Sequence, residues 1–296
     1  MNPLERTGMM ENKASPITDI IRKRVSCRTY SARPIEVQKI DRLKAFLQSN
    51  RTGPFGSVLR FELLDLNEVE KAEIRKLGTY GVIRDARYYM AGAAVQDTHC
   101  LTDFGYAMER NILEATATGL GTCWLGGTFN RAGFARRMQI QGNEMVPAIS
   151  PVGYPTDQKS MLERMFRLST GADKRKPWRE LFFEARIGFP LSTHAAGSYA
   201  EAIECVRLAP SAANRQPWRI LKEAHRPIFH FLLKRSPGFD MLWGISLQDV
   251  DMGIALCHFE IAADAAGLQG RWSKNHAPSD TGGMEHMATW MGMDSP

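Results

Sequence analysis

The sequence predicts a three-layer α/β fold of the α+β class, built from two similar units fused in one chain as a pseudo-dimer. Three observations lead there. Segments with apolar residues at helical spacing alternate with short apolar runs, and Gly and Pro mark the breaks between them. A long, small-residue-rich helix pattern occurs once in each half. The two copies align without a gap: "DFGYAMERNILEATATGLGTCW" (103–124) stands over "DMGIALCHFEIAADAAGLQGRW" (251–272) at a constant offset of 148 residues. The shared positions are Asp103/Asp251, Gly105/Gly253, Ala107/Ala255, Ala115/Ala263, Ala117/Ala265, Gly119/Gly267, Leu120/Leu268 and Trp124/Trp272. Amphipathic helices share a period by chance far more readily than they share Gly and Trp positions, so the pattern reads as an internal repeat. A fused pair can do what a homodimer does, building a site from both units at their interface.

Residues 1–15 read as a flexible lead-in, 16–155 as the first unit, 156–190 as a basic connector of poor periodicity, and 191–296 as the second unit. A first helix is expected with Ser15 as N-cap and Pro16 at its first position, carrying Ile17, Ile20 and Ile21 on one face. A second helix begins near Pro34, with Ile35, Ile40, Leu43, Phe46 and Leu47 as its stripe. "VLRFELLDL" (58–66) and "YYMAGAAV" (88–95) read as strands. The helix over 102–121 carries Gly105, Ala107, Ala115 and Ala117, which permit close packing, and Gly119 and Gly121 end it. "TCWLGG" then enters a strand or loop, and "PAISPVGYP" (147–155) is a further strand. In the second unit "LAPSAANRQPWRIL" (208–221) reads as a helix end, a polar turn and a strand start. "MEHMATWMGM" (284–293) finishes a strand or covers an interface.

Composition narrows the function classes. With 44% hydrophobic and 24% charged residues the 296-residue chain has the balance of a globular protein with a real core. No apolar run is long enough for a membrane span, and the polar N-terminus lacks the apolar stretch of a signal peptide, so a cytoplasmic location is expected. The five cysteines are scattered singly and the histidines lack metal spacing, so no metal site is expected. The net charge of +6 comes from dispersed basic residues, with short clusters at 22–24, 136–137 and 174–176. Such clusters suit a phosphate-bearing small molecule at least as well as a duplex, and no nucleic-acid partner is expected.

Four segments carry candidate chemistry. In "RKRVSCRTY" (22–30), Arg24, Ser26 and Arg28 alternate along an extended stretch, which puts two guanidiniums and a hydroxyl on one face suited to a phosphate. In "APSAANRQPW" (209–218), Pro210, Ser211 and Ala212 expose backbone groups, and Asn214 and Gln216 offer amides suited to a flat heterocycle; a plain helix-to-strand turn would use some of the same residues. In "GLGTCWLGGTF" (119–129), Leu125, Gly126 and Gly127 bring bare backbone toward a planar ligand. In "DKRKPW" (173–178), Lys174 and Arg175 are further phosphate candidates.

Together these motifs resemble the FMN-dependent nitroreductase family, and "GTYGVIRDARYYM" (78–90) resembles its tandem single-chain branch. The resemblance spans about residues 16–290, and the Pro-Ser-x-x-Asn-x-Gln-Pro-Trp string is its most specific part. It implies FMN held at the interface of two units, by Arg24, Ser26, Arg28, Gly126 and Gly127 of the first and Pro210, Ser211, Asn214 and Gln216 of the second. The reciprocal set is missing: the first unit has "QSNRTGPFGS" where the Pro-Ser string would fall, and the second has "GRWSKNHAP" where the Gly-Gly loop would fall. One FMN per chain follows, with the chain a monomer acting as a pseudo-dimer. The resemblance further implies hydride transfer from NADH or NADPH through flavin N5 to a nitroaromatic, a quinone or a similar small-molecule acceptor. The flavin carries that chemistry, so no side-chain acid or base is assigned. Tyr80 is a candidate lining residue. Ala212 departs from the second serine often found after Pro-Ser. Two other readings stay open: a non-catalytic FMN-binding or sensing protein, and a nucleic-acid-associated basic protein on a degenerate form of the fold.

Overall fold

The computed structural model describes residues 16–70, 73, 82–156, 171, 174–237 and 244–293. Tyr80 and, within the expected connector, residues 157–170 and 172–173 lie outside the described residues.

The first unit opens with α1 (Ile17–Lys23), with Pro16 itself at the cap, and α2 (Val37–Ser49). Five strands follow: β1 (Leu59–Asp65), β2 (Tyr88–Val95), β3 (Gly121–Thr122), β4 (Glu144–Met145) and β5 (Ile149–Gly153). They form an antiparallel sheet of order β1-β2-β5-β3, with β4 paired to β2. Helix α3 (Cys100–Ala117) connects β2 to β3, and the short α4 (Arg131–Arg137) precedes β4.

The second unit repeats this plan. Its sheet, of order β6-β7-β8-β10-β9, contains β6 (Phe182–Glu184), β7 (Trp218–Lys222), β8 (Ile228–Leu233), β9 (Gly270–Ser273) and β10 (Glu285–Gly292). The run β7-β8-β10-β9 matches β1-β2-β5-β3 in order and sense. Helices α5 (Trp178–Leu181), α6 (Thr193–Ala196) and α7 (Ala200–Leu208) precede β7, and α8 (Leu247–Ala265) follows β8. Helix α5 and strand β6 fall inside the 156–190 stretch, and β6 pairs in parallel with β7, so this part of the stretch belongs to the second sheet. The segment 284–293 is a strand, with Glu285–Gly292 pairing on both sides.

Helices α3 and α8 form the middle layer. Both are buried along most of their length, and one hydrophobic core joins them to the inner faces of both sheets. Strand alternation explains the layering. Met90 and Ala94 of β2 turn inward to the helices, while Tyr89, Ala91 and Ala93 turn outward to a second cluster around Phe134. The helices cross at their paired glycines. A Cβ on Gly105 would stand 2.1 Å from the Val250 carbonyl oxygen, and one on Gly253 only 1.9 Å from that of Thr102. No helix among the described residues is long and apolar enough to cross a membrane.

Candidate active site

The first wall of the site is the chain that leaves α1. Helix α1 ends because Arg24 turns extended, at φ −62 and ψ 117. Ser26 then bridges to Thr122 of β3, and the Cys27 N–H donates to the Thr122 carbonyl at 2.8 Å. Alternation along this stretch sends Cys27 into the outer core cluster and leaves Arg24, Ser26 and Arg28 on a cavity wall. Both arginines are buried, 7% exposed each. The Arg24 Nε and Nη1 atoms have no hydrogen-bond partner, and the nearest carboxylate, Glu109 Oε1, lies 3.9 Å from Nε. A buried guanidinium with unmet donors needs an anion.

The second wall is the turn after α7. Ala213, Asn214 and Gln216 all adopt positive φ, at 46°, 55° and 48°. Three non-glycine residues in the left-handed region so close together store strain that the surroundings must hold. Hydrogen bonds do so: the Ala212 N–H donates to Asp251 Oδ1 at 2.9 Å, and the Gln216 N–H to Ser211 Oγ at 2.8 Å. The side-chain amides read as ligand contacts are occupied within the protein. Asn214 Nδ2 donates to the Gly171 carbonyl at 2.7 Å and the Lys174 carbonyl at 2.9 Å, while its Oδ1 accepts from Arg175 and Gln216. Gln216 is buried and takes the Lys176 N–H on Oε1 at 2.8 Å. These two amides therefore hold Gly171, Lys174, Arg175 and Lys176, and Arg175 lines the cavity.

The third wall is the loop after β3. Leu125 is buried and bridges Ile149, so it anchors the loop from behind. Gly126 and Gly127 line the cavity. Gly126 also has a packing reason to lack a side chain, since a Cβ there would lie 2.6 Å from Leu247 Cδ2. Its carbonyl is held by Arg131 Nη2 at 2.6 Å. Trp124 is fixed by donation from Nε1 to Glu109 Oε2 at 2.6 Å, and Glu109 in turn meets His258 Nε2 at 2.9 Å.

These walls enclose a cavity of about 410 Å³, within the range of small-molecule and cofactor sites. Arg24, Ser26, Arg28, Gly126 and Gly127 enter it from the first unit, and Arg175, Pro210, Ser211, Ala212 and Asn214 from the second. Leu125 and Gln216 stand behind the walls, and the exposed Lys174 is not among the lining residues. Arg22 adds a fourth guanidinium at the edge, and Leu247, Val250 and Ile254 of α8 supply an apolar surface. The donor set fits FMN: unmet guanidinium donors for a phosphate, and bare backbone beside an apolar surface for a ring system. The sequence reading missed Asp251, the carboxylate in the lining. Its signal was present, because Asp251 is the first matched position of the repeat. Burial pushes its pKa up to about 8.

At the pseudo-symmetric position the same elements close upon themselves. Lys274 stands at the repeat position of Gly126, and His99 at that of Leu247. The Lys274 ammonium donates to His99 Nδ1 and sits 4.1 Å from the Phe55 ring centroid. Burial lowers the pKa of both Lys274 and His99. Asp103, the counterpart of Asp251, accepts from the Phe55 and Ser57 N–H groups at 3.0 and 2.8 Å.

Comparison with known proteins bears on the fold and the family. A putative nitroreductase from Thermotoga maritima has a similar structure, with TM-score 0.58 and 20% identity over 98% of each chain. A putative NADH dehydrogenase/NAD(P)H nitroreductase from Parabacteroides distasonis matches 49% of this chain and 89% of its own, at 19% identity and TM-score 0.40. An FMN-dependent nitroreductase from Clostridium difficile matches 48% and 88%, at 17% identity and TM-score 0.38. No curated protein matches the chain in sequence. A family profile described as "Putative TM nitroreductase" matches residues 16–263, and the chain belongs to that nitroreductase family.

Proposed function

We propose that this chain is an FMN-dependent oxidoreductase that takes a hydride from NADH or NADPH and passes it to a nitroaromatic, a quinone or a similar electron-poor acceptor. One FMN would lie between the two units, and a monomer would suffice. The observation that carries this reading is the buried Arg24, which lines a cavity walled by both units and whose Nε and Nη1 donors have no hydrogen-bond partner. Family membership supports the same chemistry.

When bound, the flavin supplies the hydride chemistry. The chain's own residues bind, orient and shield. Arg24, Arg28 and Arg175 present positive charge to a phosphate, with Ser26 between the first two as a hydroxyl donor. The Ser211 hydroxyl accepts from the Gln216 N–H, which leaves its own proton to donate into the cavity. Gly126 and Gly127 offer backbone on the opposite wall. Leu247, Val250 and Ile254 exclude water on one side, which strengthens the polar contacts made there.

The test is a visible spectrum of the purified protein after FMN addition and desalting, followed by anaerobic NADH or NADPH. Retained flavin bands that bleach with either nucleotide support the oxidoreductase. Retained flavin that stays oxidised with both points to a binding or sensing protein, and no retained flavin contradicts the FMN site.

A further inference from the structure

The duplication supplies an internal control for one side chain. Asp103 and Asp251 occupy the same place in the two copies of the central helix, each beneath the loop of its own unit. In the closed copy both carboxylate oxygens of Asp103 are engaged by loop N–H groups, those of Phe55 and Ser57. In the open copy Asp251 receives one loop N–H, that of Ala212 on Oδ1, and Oδ2 is buried without a hydrogen-bond partner. The residue is 3% exposed and lines the cavity. Burying a carboxylate oxygen with nothing to bind it is costly, and either a proton or a ligand must relieve it.

The surroundings favour the proton. No ion pair to Asp251 occurs among the described residues. Asp249, on the same helix, pushes in the same direction as burial and is itself committed to Arg235. Charged groups on the packed elements have other partners. Glu109 of α3 binds His258 and Trp124, and Asp103 binds its own loop. On α7, Glu201 pairs with Arg22 of α1 and Glu204 with Arg207. Arg219 of β7 donates to the Gln216 and Trp218 carbonyls and Lys222 lies by Glu184, while His230 of β8 meets Glu223. Arg24, Arg28 and Arg175 share the cavity wall with Asp251 but do not pair with it.

We propose that Asp251 serves this site as a neutral carboxylic acid, donating from Oδ2 a hydrogen bond to a carbonyl oxygen or ring nitrogen of the bound heterocycle, so that one proton on the protein gates binding. The inference rests on the FMN reading and assigns Asp251 a binding role toward it. A carboxyl pushed up to about 8 is protonated at neutral pH and ionised in mild alkali. Affinity that requires the acid form then falls with its population, by about tenfold between pH 7 and pH 9.

The experiment is FMN titration by fluorescence quenching at fixed ionic strength across that pH range, for wild type and Asp251→Asn. The amide keeps an acceptor for the Ala212 N–H and a donor for the ligand, but does not titrate. The wild-type Kd is expected to rise about tenfold while that of the variant stays flat. A wild-type Kd that is flat or falls with pH, or a variant that tracks wild type, overturns the inference and leaves the FMN site standing. No FMN binding at any pH overturns both. If Asp251→Asn does not fold, infrared difference spectra of wild type decide. A protonated-carboxyl band at neutral pH that shifts when FMN binds supports the inference, and the absence of that shift refutes it.

Discussion

Gly253 of one central helix lies against Thr102 of the other, so close that a Cβ would stand 1.9 Å from the Thr102 carbonyl oxygen, and Gly105 meets Val250 in the reciprocal way. Thr102 and Val250 are themselves equivalent in the repeat. This crossing fixes how the two units sit and therefore the width of the cavity between them. Gly253→Ala is expected to destabilise the fold by about 3 kcal/mol, because the obstacle is backbone and cannot rotate away. Gly119→Ala, at a positive φ of 82° with nothing within 4 Å, should cost only about 1 kcal/mol. Urea denaturation of the two variants checks the difference.

Arg24 should dominate phosphate binding because its donors are buried and unmet. Arg24→Gln is expected to lose about 1.5–3 kcal/mol of FMN affinity, roughly a 10- to 150-fold rise in Kd. Lys174→Gln, at an exposed side chain outside the lining, should change Kd less than about twofold. Riboflavin, which lacks the phosphate, should not distinguish Arg24→Gln from wild type. Fluorescence titration with both flavins checks this.

Asn214 and Gln216 act on the site by holding it. Asn214→Ala removes the tether to Gly171 and Lys174, and should lower stability by about 1–2 kcal/mol. It should also speed proteolytic cleavage near 171–176. Limited proteolysis with and without FMN reads this directly: FMN should slow cleavage of wild type more than of the variant.

Asp251 makes stability itself depend on pH. Its carboxyl ionises near 8 in the folded chain and at about 3.9 when unfolded. Between those values the unfolded chain gives up a proton that the folded chain keeps, so this residue's contribution falls as pH rises from about 4 to about 8. Asp251→Asn should gain on wild type across that window and stay level outside it. Denaturation curves at several pH values check the slope.

The sequence reading and the structure agree where local pattern decides. Alternation put Arg24, Ser26 and Arg28 on one face, because an extended chain has period two, and all three line the cavity, with Val25 beside them. The matched glycines of the repeat marked the helix crossing. Pattern was silent where partner choice decides. Asn214 and Gln216 carry the right groups for a heterocycle, but the structure places them against the backbone of Gly171, Lys174 and Lys176. Lys174 and Arg175 are adjacent and both basic, yet only Arg175 lines the cavity; Asn214 accepts from the Arg175 guanidinium and donates to the Lys174 carbonyl. Gly126 looked like room for a ligand and is also room for Leu247. Lys274, which closes the second position, was readable as the counterpart of Gly126, but its landing on His99 and Phe55 depends on long-range packing.

The central claim is that two units build one site, and stoichiometry tests it most directly. FMN should titrate the purified chain to an end point of one per chain. Lys274→Gly should leave that end point unchanged, because the second unit has no counterpart of Arg24 and Arg28. An end point of two per chain, or of zero, would contradict the account.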